Sequence, residues 1–285
     1  MRDTVDFSPA RTNKPVTGPQ AATQGELSSK QQPKLRPEQI ARAFLTPRPP
    51  RQRQALVLES GETLRVNTPE GEIAIQRTGT GPAVLLLHGW EGQAADMASF
   101  VTPLLAAGFS VLVMDLPAHG ASAGQQSSIP QSARALLAVG EALGPLHGVI
   151  AHSVGSAVLG EALYAGLAAE RAVFVAAPAR YEDYARGFAA AAGLDAAGTT
   201  TMLTILHDLI GVDVSEISLP QRAPHLRQPA LFIHSDDDRV VAITDSIATA
   251  AAWPGAQHLR VEGLGHKRLL TDEAVITAAT GFMSL

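Results

Sequence analysis

Gly148-Val149-Ile150-Ala151-His152-Ser153-Val154-Gly155-Ser156 is the stretch on which the reading of this chain turns. A β-branched apolar pair, Val149 and Ile150, runs into small residues around one serine, and a helix-forming run, Ala157-Val158-Leu159, follows at once. Ser153 therefore stands where a strand must become a helix. A serine at such a junction is held in a strained turn, with its hydroxyl at the C-terminal edge of a sheet. Small neighbours are needed because the strand and helix backbones pass close together. The usual pattern is Gly-x-Ser-x-Gly; Ala151 replaces the first glycine and adds one methyl. The plain alternative is a chance Ser-x-Gly turn, so the reading depends on what surrounds it.

Upstream, Leu64–Asn67 and Glu72–Gln76 read as an antiparallel pair around the turn Pro69-Glu70-Gly71. Ala83–Leu87 is a continuous apolar run, as expected for a strand covered on both faces. A helical run at Ala95–Ala107, a strand at Ser110–Met114 and a helix at Gln131–Leu143 lead to the Ser153 strand. Downstream, strands are expected at Ala172–Val175, Ala230–Ile233 and His258–Val261, with a last helix from about Asp272. Strands alternating with helices specify an α/β fold built on a mostly parallel, doubly wound sheet. One interval breaks the rhythm. Ala179–Pro229 has no strand and two helical runs, Tyr184–Ala192 and Thr199–Ile210. The second is apolar on more than one face, so it must bury against something on both sides. A small helical cap over the sheet edge is expected there, with Met202, Leu203, Leu206 and Leu209 divided between anchoring it and lining a substrate pocket.

The 285 residues suffice for one large domain, and 46% hydrophobic content indicates a sizeable core. A net charge of −5 gives no case for nucleic-acid binding by the body of the protein. With no cysteine, disulfide scaffolds, thiolate metal sites and cysteine nucleophiles are excluded. No run reaches the roughly eighteen apolar residues of a transmembrane helix, and Met1–Asp6 lacks the apolar core of a secretory signal. A cytoplasmic protein is expected. From Met1 to about Pro37 the chain is polar and reads as a disordered tail. Pro37–Leu45 reads as a short helix, and Pro47–Arg53 as a basic, proline-stiffened connector: a solvated strap over the domain, or a contact for anionic lipid or a partner. The tail, short helix and connector are assigned to residues 1–55 and the catalytic body to 56–285.

A serine hydroxyl needs a base within hydrogen-bond reach. Among nine histidines, His266 follows the last strand within Glu262-Gly263-Leu264-Gly265-His266-Lys267, where glycines let a loop return to the sheet edge. It is the candidate base. His88, His119 and His152 read as structural. A carboxylate must orient that imidazole. Three stand in Asp236-Asp237-Asp238; Asp238 is taken as the acid, Asp236 and Asp237 as solvated turn residues, and Asp115 as a relocated alternative. A metal reading of this His-and-Asp cluster lacks a second histidine at ligand spacing. Acyl transfer also needs donors for an oxyanion. The backbone N–H of Val154, at a helix N-terminus, is one candidate, and that of Trp90 in His88-Gly89-Trp90-Glu91-Gly92 is the other. The Trp90 indole is a further pocket candidate.

With these motifs in order, the chain from about Leu64 to Leu285 resembles an α/β-hydrolase-fold serine hydrolase, esterase- or lipase-like. The resemblance rests on His-Gly-Trp after the third strand and on Asp115-Leu116-Pro117-Ala118-His119-Gly120-Ala121-Ser122, similar to that family's Asp-x-Pro-Gly-His-Gly-x-Ser. It continues through the nucleophile elbow, Ile233–Val241 and Gly263-Leu264-Gly265-His266; Ala118 and Ala151 stand where glycines are usual. It implies a cofactor-free hydrolysis of small-molecule carboxylic esters through Ser153, His266 and Asp238, with thioesters and amides as neighbouring substrates. Two other readings share these residues: a cofactor-free perhydrolase or haloperoxidase, and a catalytically inert binding homologue. A fold that hosts many activities names no substrate.

Overall fold

The computed structural model describes residues 36–50, 54–58 and 60–285. The expected polar tail, up to residue 35, and Arg51-Gln52-Arg53 of the connector lie outside the described residues.

Eight strands form one sheet: β1 (Glu62–Thr68), β2 (Gly71–Thr78), β3 (Ala83–Leu87), β4 (Ser110–Met114), β5 (Leu146–His152), β6 (Ala169–Val175), β7 (Ala230–Ser235) and β8 (Gln257–Val261). Their order is β1-β2-β4-β3-β5-β6-β7-β8. β2 runs antiparallel to β1 and β4; every other pairing is parallel. The α-helices among the described residues are α1 (Pro37–Leu45), α2 (Val101–Ala106), α3 (Ile129–Leu143), α4 (Val154–Tyr164), α5 (Tyr181–Ala191), α6 (Ala196–Ile210), α7 (Leu219–Arg222), α8 (Ile243–Ala252) and α9 (Glu273–Met283). None is long and apolar enough to cross a membrane.

The continuous apolar strands are explained by a core on each face. Val84 and Leu86 of β3, Val111 and Val113 of β4, and Val173 and Val175 of β6 join one cluster, with Phe100, Leu104 and Phe282. Their alternates, Leu85 and Leu87, Leu112 and Met114, Ala172 and Phe174, join the other, with residues of α3 and α4. Side chains of period two thus feed both layers. Pairings of Leu87 with Ala151, His152 with Val175, and Ser235 with Val261 bring the C-terminal ends of the parallel strands level. Loops leaving β3, β5, β7 and β8 therefore emerge along one edge, where open α/β sheets place their ligands.

Between β6 and β7 lie α5, α6 and the short α7. Asp195 caps α6 by accepting the Gly198 N–H at 2.8 Å, and Gly211, with φ 77°, ends it in the left-handed region. Met202, Leu206 and Ile210 form a fully buried row along α6, while Leu203, Ile205 and Leu209 are half-buried against the same cluster. α1 lies against α6 and α5. Ile40, Ala41 and Leu45 are buried, and the Phe44 ring sits 5.3 Å from Tyr181 and 5.4 Å from Phe188. The Ser127 N–H donates to the Leu45 carbonyl at 2.8 Å.

This corrects the boundary expected near residue 56. A nine-residue helix is marginal alone, and burying Ile40 and Leu45 contributes about 1.5–3 kcal/mol each. The folded body therefore includes α1. It also answers why α6 is apolar on more than one face: α1 supplies the second partner that sequence reasoning assigned to a substrate pocket.

Candidate active site

Ser153 directly follows β5 and occupies the N-cap of α4 with φ 53° and ψ −125°, a conformation a non-glycine residue adopts only under constraint. The constraint is local. The Ser153 N–H donates to the Val175 carbonyl of the neighbouring strand at 2.9 Å. A Cβ on Gly155 would come within 2.4 Å of the His88 carbonyl oxygen, so the first turn of α4 and the end of β3 touch backbone to backbone. A Cβ on Gly89 would lie 2.9 Å from Ser153 Cβ, which brings the loop after β3 against the serine. An N-cap serine ordinarily bonds its own helix. Ser153 does not; its Oγ lies 2.9 Å from His266 Nε2.

His266 Nδ1 lies 2.7 Å from Asp238 Oδ2, at the end of the loop after β7. A carboxylate accepts only, so Nδ1 carries the proton, Nε2 is the acceptor, and the Ser153 hydroxyl donates to it. Asp238 has no exposed side-chain surface. Burial pushes its carboxyl up, but bonds from His234 and His266 and from the N–H groups of Val241 and Val240 outweigh it and hold the group well below the usual carboxylate range. The Val240 and Val241 N–H groups donate to Oδ1 at 2.8 and 3.0 Å, and His234 Nε2 stands 3.3 Å from Oδ2.

The loop bearing His266 turns through Gly263 and Gly265, at φ 76° and 58°. Ser235 Oγ accepts the N–H of Leu264 and of Gly265, each at 3.1 Å. Asp237 Oδ1 accepts the Gly265 N–H at 2.9 Å and the Ser235 hydroxyl at 2.5 Å. Asp237 is the exposed turn residue expected, and it also clasps the loop that carries the base; these bonds lower its pKa. The signal for this clasp lay in β7, where an apolar run gives way to His234 and Ser235, both without exposed surface. Asp236 remains at the surface, paired with Arg260 at 2.8 Å. His152 Nε2 donates to the His266 carbonyl at 3.0 Å, with ring centroids 4.8 Å apart. Burial, then the neighbouring His266, pushes His152 down to about 3, so it is neutral.

Asp115 is engaged elsewhere. Its oxygens accept the N–H of Ala94 at 2.7 Å and of Ala121 at 2.9 Å, and Gly120 at φ 52° leaves no room for a Cβ beside that carboxyl. Asp115 braces two loops while Asp238 occupies His266 Nδ1, so the relocated-acid alternative is not met.

Val154 is the first residue of α4, where N–H groups have no intrahelical acceptor. Among the described residues neither its N–H nor that of Trp90 has a hydrogen-bond partner. The next residue, Glu91, stands at φ 56°. Its N–H donates to His119 Nε2 at 3.1 Å, and His119 Nδ1 donates to the Pro117 carbonyl at 2.8 Å. Burial, then His88, pushes His119 down to about 4. His88 likewise accepts the Leu116 N–H at 3.1 Å and donates to the Gly89 carbonyl at 2.7 Å, and burial lowers its pKa. Trp90 is half-buried, its ring edge-on to His119 at 5.2 Å. Ala118, where glycine is usual, takes φ 62° and so carries strain.

Met202 and Leu206 have no exposed surface for a substrate to touch, and Leu203 and Leu209 are half-buried in the same cluster. Among the described residues no group of three or more His, Cys, Asp or Glu side chains could hold a metal ion. The arrangement can remove a proton from the serine hydroxyl and store it on an imidazole beside a buried carboxylate.

Comparison with known proteins identifies a family. Residues 84–279 match the alpha/beta hydrolase family. The pimeloyl-[acyl-carrier protein] methyl ester esterase of Stenotrophomonas maltophilia is 28% identical over 243 residues, spanning 72% of this chain and 93% of that protein. Among solved structures, the Pyrococcus furiosus esterase Pf2001 superposes with a TM-score of 0.65 at 18% identity, covering 82% of this chain and 97% of that one. A bromoperoxidase from Bacillus anthracis superposes with a TM-score of 0.59 at 18% identity, covering 78% and 99%. The family match extends over more than half of the sequence and contains every strand from β4 to β8, and on it the chain belongs to the alpha/beta hydrolase family.

Proposed function

We propose that this protein hydrolyses carboxylic esters through an acyl-enzyme on Ser153. The observation that carries the reading is His266, bonded at once to Ser153 Oγ at 2.9 Å and to Asp238 at 2.7 Å. Ser153 Oγ attacks the ester carbonyl carbon as His266 Nε2 takes its proton. The ionised Asp238 stabilises the imidazolium and keeps its tautomer. The carbonyl oxygen, now an oxyanion, accepts from the N–H groups of Val154 and Trp90. As the tetrahedral intermediate collapses, His266 returns the proton to the departing alkoxide and the alcohol leaves. A water then gives its proton to His266 and attacks the acyl-enzyme; the second collapse frees the carboxylic acid and restores Ser153. No cofactor enters any step.

The insertion carrying α5 and α6, with α1 behind it, acts as the cap in this reading. The methyl ester named for the Stenotrophomonas relative supports a small alcohol group and a longer acyl chain as the substrate class. Purified wild type and Ser153→Ala, assayed on methyl and p-nitrophenyl esters of graded acyl length, test the proposal. Hydrolysis by wild type alone, with fluorophosphonate labelling lost in the variant, is expected. Equal hydrolysis by both proteins overturns it. Peroxide-dependent halogenation without ester hydrolysis would transfer the same residues to perhydrolase chemistry.

A further inference from the structure

Glu91 follows the Trp90 donor directly and is held from two sides. Beneath it, neutral His119 accepts its N–H at 3.1 Å. Above it, Arg48 of the segment after α1 forms a two-pronged pair with its carboxylate, Nε to Oε1 at 2.8 Å and Nη2 to Oε2 at 3.1 Å. The Arg48 backbone N–H adds a third bond, to Oε1 at 3.3 Å. These contacts matter because Glu91 sits at φ 56°, a conformation its own backbone disfavours, and the peptide entering it carries the direction of the preceding residue. The pair also neutralises an anion placed one residue from a donor meant for a developing negative charge. Arg48 lies outside residues 84–279, the stretch matched by the family. It is anchored by α1, whose Leu45 carbonyl accepts the Ser127 N–H.

We propose that Arg48 is a positioning residue for ester hydrolysis, clamping Glu91 so that the Trp90 N–H stays aimed at the oxyanion and no unpaired carboxylate stands beside it. This rests on the assignment of Trp90 as an oxyanion donor. Most exposed ion pairs contribute little; a bidentate arginine–carboxylate pair is the geometry in which they contribute most. Because the pair is solvent-facing, salt should weaken it without unfolding the protein.

The experiment uses the full chain and p-nitrophenyl butyrate, with wild type, Arg48→Ala, Glu91→Gln and the double variant. Arg48→Ala is expected to lower kcat about threefold to fivefold with KM changed less than about twofold. The double variant should be no slower than Arg48→Ala, because removing the orphaned carboxylate removes its repulsion. Raising NaCl from about 50 mM to about 1 M should slow wild type toward Arg48→Ala and leave that variant unchanged. An unchanged kcat in Arg48→Ala, losses that multiply in the double variant, or a wild type insensitive to salt overturns the inference. Ser153→Ala run alongside separates the two levels: if it is inactive while Arg48→Ala equals wild type, only the clamp is wrong. If it is active, the hydrolytic reading and the clamp fall together.

Discussion

The stretch from Gly265 to His266 is bonded by two carboxylates and a neutral imidazole, whereas the stretch from His88 to Glu91 is bonded through two neutral imidazoles and an arginine. On the first side, Asp237 and the Ser235 hydroxyl clasp Gly265, and Asp238 meets His266 Nδ1. On the second, His88 and His119 each accept one backbone N–H and donate to one carbonyl, both kept uncharged by burial. The difference follows the charge each side is proposed to face. A proton arriving on His266 calls for fixed negative charge nearby, while an oxyanion beside Trp90 N–H calls for none. Glu91 is the anion in that second loop, and Arg48 balances it.

The comparison can be broken first at the serine between the two loops. Ser153→Ala should reduce turnover by about 10⁴-fold or more with the melting temperature nearly unchanged, since alanine suits the same turn no worse. Activity within tenfold of wild type would falsify the assignment.

The charged side is sharpened by its two aspartates. Asp238→Asn should lower kcat by about 10³–10⁴-fold, because an amide neither balances the imidazolium nor enforces its tautomer. Asp237→Asn should lose only about tenfold, since its remaining carbonyl can still accept the Gly265 N–H. If the two substitutions cost the same, charge is not what distinguishes the acid from the clasp.

On the neutral side, His119→Ala removes the acceptor beneath Glu91 and should lower kcat about 10-fold to 10²-fold. His119→Gln, which can both accept from Glu91 and donate to Pro117, should recover part of that loss. Equal defects in the two variants would point to packing alone.

The last test is a pH dependence of stability, not of turnover. Folding pushes His119 from 6.5 down to about 4 and His152 from 6.5 down to about 3. Between those values the unfolded chain binds protons that the folded chain refuses, so stability is full above pH 6.5 and falls as the pH drops. The slope is up to about 1.4 kcal/mol per pH unit for each histidine. Melting temperatures measured from pH 7 to pH 4 should decline, and less steeply in His119→Gln. A flat profile would mean these imidazoles are not held neutral.

Strands, helices and the elbow serine were legible from one sequence because each is a local pattern. A five-residue apolar run bounded by Gly81-Pro82 and Gly89, as in Ala83–Leu87, is short enough to read as a strand covered on both faces, and a serine among small residues between strand and helix fits the strained turn. The position of His266 just past the last strand followed from the same alternation. What each side chain does there was less legible. Asp236, Asp237 and Asp238 are adjacent and chemically alike; only the return of the loop after β8 decides that one meets an arginine, one a backbone N–H and one an imidazole. The fate of α1, the second face of α6 and the reach of Arg48 to Glu91 were hidden for a related reason. Each joins segments with no shared local pattern, 43 residues apart in the Arg48–Glu91 pair. Periodicity reports that a surface must be covered, and only the tertiary structure decides by what.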